Sequence, residues 1–345
     1  MRTGTKRQLQ LMWRFVFAGT LVGSGYSSLL NFASYGTPRL GMLTGAIHGF
    51  ILSATIGSME IFGTRTLPGR AVEQAPLLVT LAVKGLVYGS VIVLAELAEP
   101  GFRLLGLRSG QGPVQLVSIV FAFVVTLAFI FLLQVSQIMG SRIFRGLLFG
   151  RYHRPRSEER FFLFVDIVGS TALAERIGPV GVHRFLNGVF VLAADPVDDY
   201  GGEIYQYVGD EMVITWAEVD GRRDARPIAC FIAIEAAINS AASDFTRDFG
   251  IAPRIRGALH AGPVIVGEVG GRKRDIVFHG DVMNTTARLE QMARELDRRL
   301  VISADAMSRL EGADQFASED LGDRVLRGRT SPVRIFSVLG RVPSG

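Results

Sequence analysis

The stretch FFLFVDIVGST, residues Phe161–Thr171, decides the fold of the second half of the chain. Four of the five side chains before Asp166 are Phe or β-branched, which favours a buried strand ending at this carboxylate. Gly169 allows a sharp turn, and Ser170 or Thr171 can cap the helix that follows. Because a helix start offers free backbone N–H groups that bind anions, Asp166 stands where a metal ion could meet a phosphate group.

A second segment, YGGEIYQYVGDEMVITW at Tyr200–Trp216, is typical of a hairpin with its turn at Gly209 and Asp210. If this hairpin lies beside the first strand, Asp210 comes next to Asp166. Two carboxylates that lie next to each other repel unless a cation lies between them. The alternative interpretation is a solvated Asp in a turn and a second Asp that only caps a helix.

Three ordered blocks make the chain resemble the class III nucleotidyl cyclases. They are FVDIVGST at 164–171, GG at 201–202 followed by GD at 209–210, and GDVMNTTAR at 280–288. The resemblance covers residues 158–340, which we expect to form the catalytic domain. It implies a ferredoxin-like α+β fold, a head-to-tail homodimer with its active sites at the interface, and ATP as the substrate. It also implies two ions of Mg²⁺ or Mn²⁺ in each site.

The roles of the site residues follow from the motifs and the resemblance. Asp166, Asp210 and the backbone carbonyl of Ile167 are the expected metal ligands. Asn284 and Arg288 are four positions apart on one predicted helix, so they share a face on which Asn284 can orient the ribose and Arg288 can bind the α-phosphate. The expected contacts to the nucleotide come from the start of the helix and its surroundings: Phe164, Val168, Gly169, Ser170 and Thr171. For Asn284 and Arg288 the alternative is a helix Asn in water and a surface Arg paired with Glu290 or Asp281.

The positions that read the base depart from the family pattern. Adenylyl cyclases of this type carry Lys at the position of Gln206 and Asp or Thr at that of Val277. Gln206 can still donate and accept hydrogen bonds, whereas Val277 can do neither. Asp275 lies two residues away on the same strand face and could substitute. Either Arg327 or Arg329 could contact the terminal phosphate, and the sequence does not distinguish between them.

The order of predicted elements independently indicates an α+β domain. Strands and helices interleave as βαββαβ with additions, which favours helices packed on a sheet. Within it, Pro253–His260 and Pro263–Val269 are predicted as two strands joined at Ala261 and Gly262.

The first half of the chain is apolar and predicts an all-α transmembrane domain over residues 1–140. Its four apolar stretches are each near the ~20 residues that span a bilayer, and they run over residues 15–34, 41–63, 76–98 and 114–140. Lys and Arg are more frequent at the amino end, in the middle loop and at the exit than in the other two loops. The positive-inside rule then places both termini and the catalytic domain in the cytoplasm. The first half is expected to be a multi-pass domain in the inner cell membrane, with membrane lipid as its partner.

Charge is unevenly distributed between the halves. Residues 1–157 carry a balance of +11 and residues 158–345 a balance of −6, consistent with the net +5 of the chain. The basic excess belongs to the apolar half, where it faces membrane phosphates, so the high pI does not indicate nucleic-acid binding. The one cysteine, Cys230, excludes an intrachain disulfide bond.

Several features of the membrane half suggest packing or sensing. Gly recurs at four-residue spacing, which either lets helices approach closely or reflects only the frequency of Gly in membrane helices. Lys84 and His48 lie within apolar stretches, and we hypothesise that they belong to a sensing or packing site. Glu60 lies near the end of a stretch and is expected to reach the membrane surface. Residues 141–157 are expected to form an amphipathic coupling linker.

These observations favour a membrane-bound adenylate cyclase that produces cyclic AMP as a second messenger. One alternative is a guanylate cyclase or a loosely selective cyclase. A different class of protein, a catalytically silent nucleotide-binding receptor, is disfavoured by the presence of both Asp residues together with Asn284 and Arg288. The sequence does not identify a membrane-side ligand.

Overall fold

The computed structural model divides the chain into two compact units, Met1–Met139 and Gly140–Gly345. It describes residues 3–35, 38–63, 75–97, 113–139, 152–272, 274–327 and 331–342, together with Thr66, Gly69, Val72, Gly146 and Gly150. Most of the predicted coupling linker at 141–157 therefore lies outside the described residues. The two units are described separately.

The first unit consists of four long helices. They are α1 (Thr3–Tyr35), α2 (Pro38–Gly63), α3 (Leu77–Leu97) and α4 (Pro113–Met139). Of all helices in the described part of the chain, four are long and apolar enough to cross a bilayer, and three of these belong to this unit, within α2, α3 and α4. The predicted first stretch, 15–34, is helical but is not among them, because Gly, Ser, Thr and Asn31 dilute its apolar residues.

Glycines bring α1 and α2 into close contact. A Cβ atom on Gly23 would lie 2.5 Å from the carbonyl oxygen of Gly45, and one on Gly49 would collide with the carbonyl oxygen of Gly19. Backbones at this distance leave no room for a side chain. Of the two interpretations of the Gly spacing, the structure supports close helix approach for this pair of helices.

Lys84 and Glu60 form a buried ion pair between α2 and α3. Lys84 Nζ lies 2.5 Å from Glu60 Oε1, and Tyr88 Oη donates a hydrogen bond of 2.5 Å to Glu60 Oε2. The Glu60 side chain is only 10% exposed and is paired inside the unit, and its position relative to a membrane surface stays a prediction. His48 Nδ1 lies 2.9 Å from the carbonyl oxygen of Thr44 on its own helix. Lys84 and His48 thus both form hydrogen bonds within the helices of this unit, and a sensing role for them stays a hypothesis.

The second unit is a mixed sheet covered by helices. Its strands are β1 (Arg156–Ile167), β2 (Glu203–Val208), β3 (Glu211–Ala217), β4 (Ile255–Val269), β5 (Asp275–His279), β6 (Leu300–Ser303), β7 (Phe316–Arg324) and β8 (Val333–Arg341). The order in the sheet is β2-β3-β1-β4-β6-β8-β7, and β5 pairs with β4. The β4–β6 pair is parallel, and the other pairs are antiparallel.

Helices complete the second unit. They are α5 (Ser170–Asp199), α6 (Glu218–Gly221), α7 (Arg226–Ser240), α8 (Ala242–Phe249), α9 (Asp281–Glu295) and α10 (Ala304–Arg309). The succession β1-α5-β2-β3-α7-β4, with β1 between β3 and β4, is the predicted ferredoxin-like βαββαβ core. Although α5 also meets the criterion for a membrane span, it buries Phe185, Val189 and Val197 in the core of this unit.

The two strands predicted around Gly262 form one continuous strand, β4, so that prediction is wrong. The sequence suggested a break because Pro263 cannot donate a hydrogen bond to a sheet. In the structure β4 pairs with β6 at 257–259 and with β5 at 265–269. Pro263 falls in the interval between them, where β1 alone among the described strands pairs with β4. There the missing donor is tolerated.

Alternation along β1 determines which helices meet each side chain. Phe161, Leu163 and Val165 pack in the core that contains α5 and α7, whereas Phe162 and Phe164 belong to a second cluster on the other face. Since side chains alternate in a strand, Asp166 shares the face of Phe162 and Phe164. The helix α9 packs against β1 and β4.

We predict that the Lys84–Glu60 pair is required for the stability of the first unit. Lys84→Met leaves the Glu60 carboxylate without its cation in apolar surroundings, and losing one partner of a buried pair costs about 3–5 kcal/mol. The apparent Tm of the full chain in detergent should therefore fall. The double variant Lys84→Met/Glu60→Gln should recover much of the loss. Arg14→Met, at an exposed position of α1, is the control. Equal Tm values for the single and double variants would contradict the pairing.

Candidate active site

Asp166 is a buried carboxylate at the end of the central strand. Only 5% of the residue is exposed, and its cross-strand neighbours are Glu211 on β3 and Arg256 on β4. The turn that follows contains Gly169 with a φ of 80°, and α5 begins at Ser170. The predicted succession of strand, carboxylate, turn and helix start is therefore present.

Ser170 links the helix start to the hairpin. Its Oγ donates a hydrogen bond to Asp210 Oδ2, while no side chain caps the N-terminus of α5. The expectation that Ser170 or Thr171 caps this helix is therefore wrong. Asp210 follows Gly209, whose φ is 64°, in the turn between β2 and β3. Because β3 pairs with β1, this turn places Asp210 beside the end of β1.

Four carboxylates interact at this point, and the electrostatics record their repulsion. Burial, together with the neighbouring Glu290 and Asp210, raises the pKa of Asp166 to about 6, although Arg294 and Arg256 lower it. Burial likewise raises the pKa of Glu211 to about 7, with contributions from Glu290, Asp166 and Asp210. Burial and the neighbouring negative charges thus both disfavour ionisation of these carboxyl groups, and shifts of this size are common at functional sites.

Arg294 is a cation that contacts this cluster directly. Its Nη2 lies 3.2 Å from Asp166 Oδ2 and 3.2 Å from Glu290 Oε1. The Arg294 side chain is 59% exposed, whereas those of Asp166 and Glu290 are 7% and 8% exposed. The last turn of α9 thus covers the end of β1 with a paired Glu and Arg.

The donor atoms fit a hard divalent cation. Carboxylate and carbonyl oxygens are the ligands that Mg²⁺ prefers, and Mg²⁺ usually takes only one or two carboxylates together with substrate phosphates and water. In the part of the chain that the structure describes, no three His, Cys, Asp or Glu side chains are arranged to hold one ion. Asp166 and Asp210 offer the one or two carboxylates that such an ion takes from a protein.

Asn284 and Arg288 lie on a different face of α9 from the pair that contacts Asp166. Asn284 is exposed and Arg288 is half-buried. Glu290 pairs with Arg294, and Asp281 Oδ2 accepts a hydrogen bond from Thr285. Both acids thus have other partners, and the roles of Asn284 and Arg288 stay a prediction.

Strands β2 and β5, which contain the predicted base-reading residues, contact each other through the side chains of Tyr205 and Phe278. Tyr205 and Phe278 pack edge to face with centroids 4.7 Å apart, and Phe278 N donates to Tyr205 Oη at 3.4 Å. Gln206 follows Tyr205 and is exposed, and Val277 precedes Phe278 and is half-buried. Asp275 Oδ1 accepts a hydrogen bond of 2.9 Å from the backbone N–H of Ile276, which orients that carboxylate locally.

The remaining predicted residues differ in accessibility. Phe164 and Ile167 are 5% and 2% exposed. Their side chains pack in the two hydrophobic clusters on either face of β1 and hold the end of this strand in place. The backbone N–H of Val168 donates to the carbonyl oxygen of Arg254 at 2.9 Å, which leaves the later N–H groups of the turn for an anion. Thr171 and Arg327 are exposed, and Arg329 lies outside the described residues.

Sequence reasoning missed Glu211, Glu290 and Arg294 as members of the site. A signal existed, because Glu211 follows Asp210 directly and Glu290 and Arg294 are four positions apart on a predicted helix. It also did not predict that Arg160 is buried, with 1% of the residue exposed. The Arg160 guanidinium lies 2.9 Å from Glu158 and 4.8 Å from the ring centroid of Phe278, so it supports the strand next to Val277.

Comparison with known proteins gives one family and several relatives. The family described as "Adenylate and Guanylate cyclase catalytic domain" matches residues 153–339. "Adenylate cyclase 2" of Rhizobium meliloti is 41% identical over 227 residues, which are 66% of this chain and 62% of that protein. "Adenylate cyclase" of Anabaena cylindrica is 28% identical over 51% of this chain and 36% of that protein. The chain thus spans less than two thirds of the length of either relative.

Among solved structures, a bacterial light-regulated adenylyl cyclase superposes with a TM-score of 0.53 at 19% identity. The match covers 69% of this chain and 69% of that one. At this level of identity the likeness concerns the fold alone.

We predict that the burial of Asp166 and Glu211, together with repulsion in the acidic cluster, makes the metal-free protein less stable as the pH rises. The unfolded chain loses the protons of Asp166 and Glu211 near pH 4, whereas the folded chain holds them to about 6 and about 7. The free energy of unfolding therefore falls through this interval. Glu211→Gln should raise the apparent Tm at pH 8 in EDTA and leave it nearly unchanged at pH 4.

Glu319→Gln provides the control, since Glu319 is exposed and pairs with Arg298 on the surface. Thermal unfolding of the full chain in detergent measures both variants across the pH range. A Glu211→Gln variant that is less stable than the parent at pH 8 would contradict the repulsion.

Proposed function

We propose that this chain, which belongs to the family of adenylate and guanylate cyclase catalytic domains, is a membrane-bound adenylate cyclase. It converts ATP to 3′,5′-cyclic AMP and pyrophosphate, for second-messenger signalling. The observation that carries the proposal is the placement of Asp166 and Asp210 together at the start of α5, where Ser170 donates a hydrogen bond to Asp210. The names of the two relatives given above support ATP as the substrate.

Asp166, Asp210 and the carbonyl oxygen of Ile167 would hold two ions of Mg²⁺ or Mn²⁺. When bound, such ions favour ionisation of the ribose 3′-hydroxyl and neutralise phosphate charge. The chain's own contribution is to place these oxygens beside the N-terminus of α5. There the N–H groups of Gly169, Ser170 and Thr171 bind the triphosphate, and its negative charge interacts favourably with the helix dipole.

The geometry of α9 supports a site shared between two copies of the chain. At about 100° per residue, the Asn284–Arg288 face and the Glu290–Arg294 face of this helix are about 120° apart. Glu290 and Arg294 face the Asp166 of their own chain, so Asn284 and Arg288 point elsewhere. In a homodimer with two-fold symmetry, each chain gives its Asn284 and Arg288 to the partner's metal site. Arg288 then stabilises charge on the α-phosphate, and Asn284 orients the ribose.

A guanylate or loosely selective cyclase is the second candidate. It is favoured by Val277, which cannot hydrogen-bond to a base, and by Gln206, which can both donate and accept. ATP and GTP offered together to the full chain separate the candidates. Predominant cyclic AMP supports the adenylate cyclase, and equal turnover of both nucleotides supports the second candidate.

The first unit would anchor the enzyme as a multi-pass domain in the inner membrane, with both termini and the catalytic domain in the cytoplasm. This arrangement requires that α1 crosses the membrane as a fourth span beside the apolar helices α2, α3 and α4. The distribution of Lys and Arg supports the cytoplasmic side for both ends. Membrane lipid is then its constant partner, and any ligand of the helices would reach them from the membrane.

We predict that Asp166→Asn and Asp210→Asn abolish cyclic AMP formation. Each variant removes a charged ligand, and losing several kcal/mol of transition-state stabilisation lowers turnover on the order of 100-fold or more. The assay uses the full chain with ATP and Mg²⁺ or Mn²⁺. Asp244→Asn, which disturbs only a surface pair with Arg247, should retain parental turnover. Undiminished cyclic AMP formation by a folded Asp166→Asn variant would refute the proposed function.

We also predict that two inactive variants complement each other. Asp166→Asn and Arg288→Ala damage opposite halves of a shared site, so one site of a mixed dimer remains intact. Co-expression of the two tagged chains should recover about one quarter of parental turnover, since half of the randomly formed dimers hold one intact site of two. Each variant expressed alone stays inactive. Failure to recover activity in purified mixed dimers would contradict the sharing of the site.

A further inference from the structure

Arg294 lies where a cation bound by Asp166 would lie. Its Nη2 contacts Asp166 Oδ2 at 3.2 Å and both oxygens of Glu290 at 3.2 Å and 3.4 Å. Asp166 and Glu290 are nearly buried, but the Arg294 side chain is 59% exposed and reaches them from solvent. A long exposed side chain can leave such a contact at small cost.

The other arginine next to Asp166 is engaged differently. Arg256 lies opposite Asp166 on β4 and is 7% exposed, and its Nη2 pairs with Asp297 at 3.1 Å. Arg256 is therefore fixed in the sheet. Arg294 contacts two members of the acidic cluster at once, and it can move.

A divalent ion on Asp166 would bind a carboxylate group that Arg294 already contacts through Oδ2. A guanidinium group and a metal ion at that position would also repel each other, because like charges a few ångströms apart interact strongly in a partly buried site. Glu290 offers Arg294 a second anion four residues back on the same helix, so withdrawal from Asp166 does not leave the arginine unpaired.

We propose that Arg294 is a built-in counter-ion of the metal site: it neutralises Asp166 in the metal-free protein and withdraws onto Glu290 when the metal ion binds. This inference rests on the proposed function, since it takes Asp166 as a metal ligand. It makes metal binding a displacement reaction. The affinity of the site for metal is then lower than its carboxylates alone would give, and the acidic cluster stays folded without metal.

The test is Mn²⁺ binding to the full chain in detergent without nucleotide, measured from the electron paramagnetic resonance signal of free Mn²⁺. Arg294→Gln removes the competing cation and should tighten Mn²⁺ binding about fivefold, the size expected for one largely exposed ion pair. Its apparent Tm without metal should fall, and the rise in Tm on adding Mn²⁺ should be larger than in the parent. Arg294→Lys keeps the charge and should stay near the parent.

Arg298→Gln is the matched control, because it removes the same charge four residues further along the chain, beyond the end of α9, from a pair with Glu319. It should leave Mn²⁺ binding unchanged, and if it tightens binding as much as Arg294→Gln, the effect is one of net charge and the proposal fails. Unchanged or weaker binding by Arg294→Gln also overturns it. Arg294→Met repeats the measurement if the Gln variant does not fold.

Asp166→Asn separates the two levels of the argument. Loss of saturable Mn²⁺ binding in this variant, together with parental binding in Arg294→Gln, would refute the counter-ion and leave the proposed metal site intact. Parental Mn²⁺ binding by Asp166→Asn would remove the metal site itself.

Discussion

Carboxylates repel one another where β1 ends, and the rest of the catalytic unit is built around that repulsion. Asp166 is placed by the strand, Asp210 and Glu211 by the hairpin, and Glu290 by α9, so three separate parts of the chain contribute negative charge to one point. Burying several carboxylates together is costly unless cations compensate them, and Arg294 does so only in part. The cost is consistent with a site that exists to bind cations and the phosphates that accompany them.

The sheet is what brings these groups together. The antiparallel pairing of β1 with β3 fixes the position of the hairpin turn, and the alternation of side chains along β1 directs Asp166 towards α9 instead of the core under α5. Ser170 then connects the start of α5 to Asp210. A one-residue slip in the register of β1 would turn Asp166 to the opposite face and dismantle the site.

Much of this arrangement could be predicted from local patterns. The run of Phe before Asp166 and the Gly-Asp turn at 209–210 gave the correct strands, and the order of elements gave the βαββαβ core. The identity of the arginine at Asp166 could not be predicted, because it depends on the rotation of α9 about its axis. The same limit applies to Ser170, whose hydroxyl bonds across the turn to Asp210 instead of capping its own helix, and to Glu60, whose partner lies on another helix. Local rules describe neighbours in sequence, and these contacts join distant segments.

Anomalous diffraction from crystals of the chain grown with Mn²⁺ and a non-cyclisable ATP analogue tests the central claim most directly. The account predicts Mn²⁺ peaks about 2.0–2.2 Å from carboxylate oxygens of Asp166 and Asp210, next to the phosphates at the start of α5. Nucleotide bound with Mn²⁺ on its phosphates but remote from both Asp166 and Asp210 would contradict it.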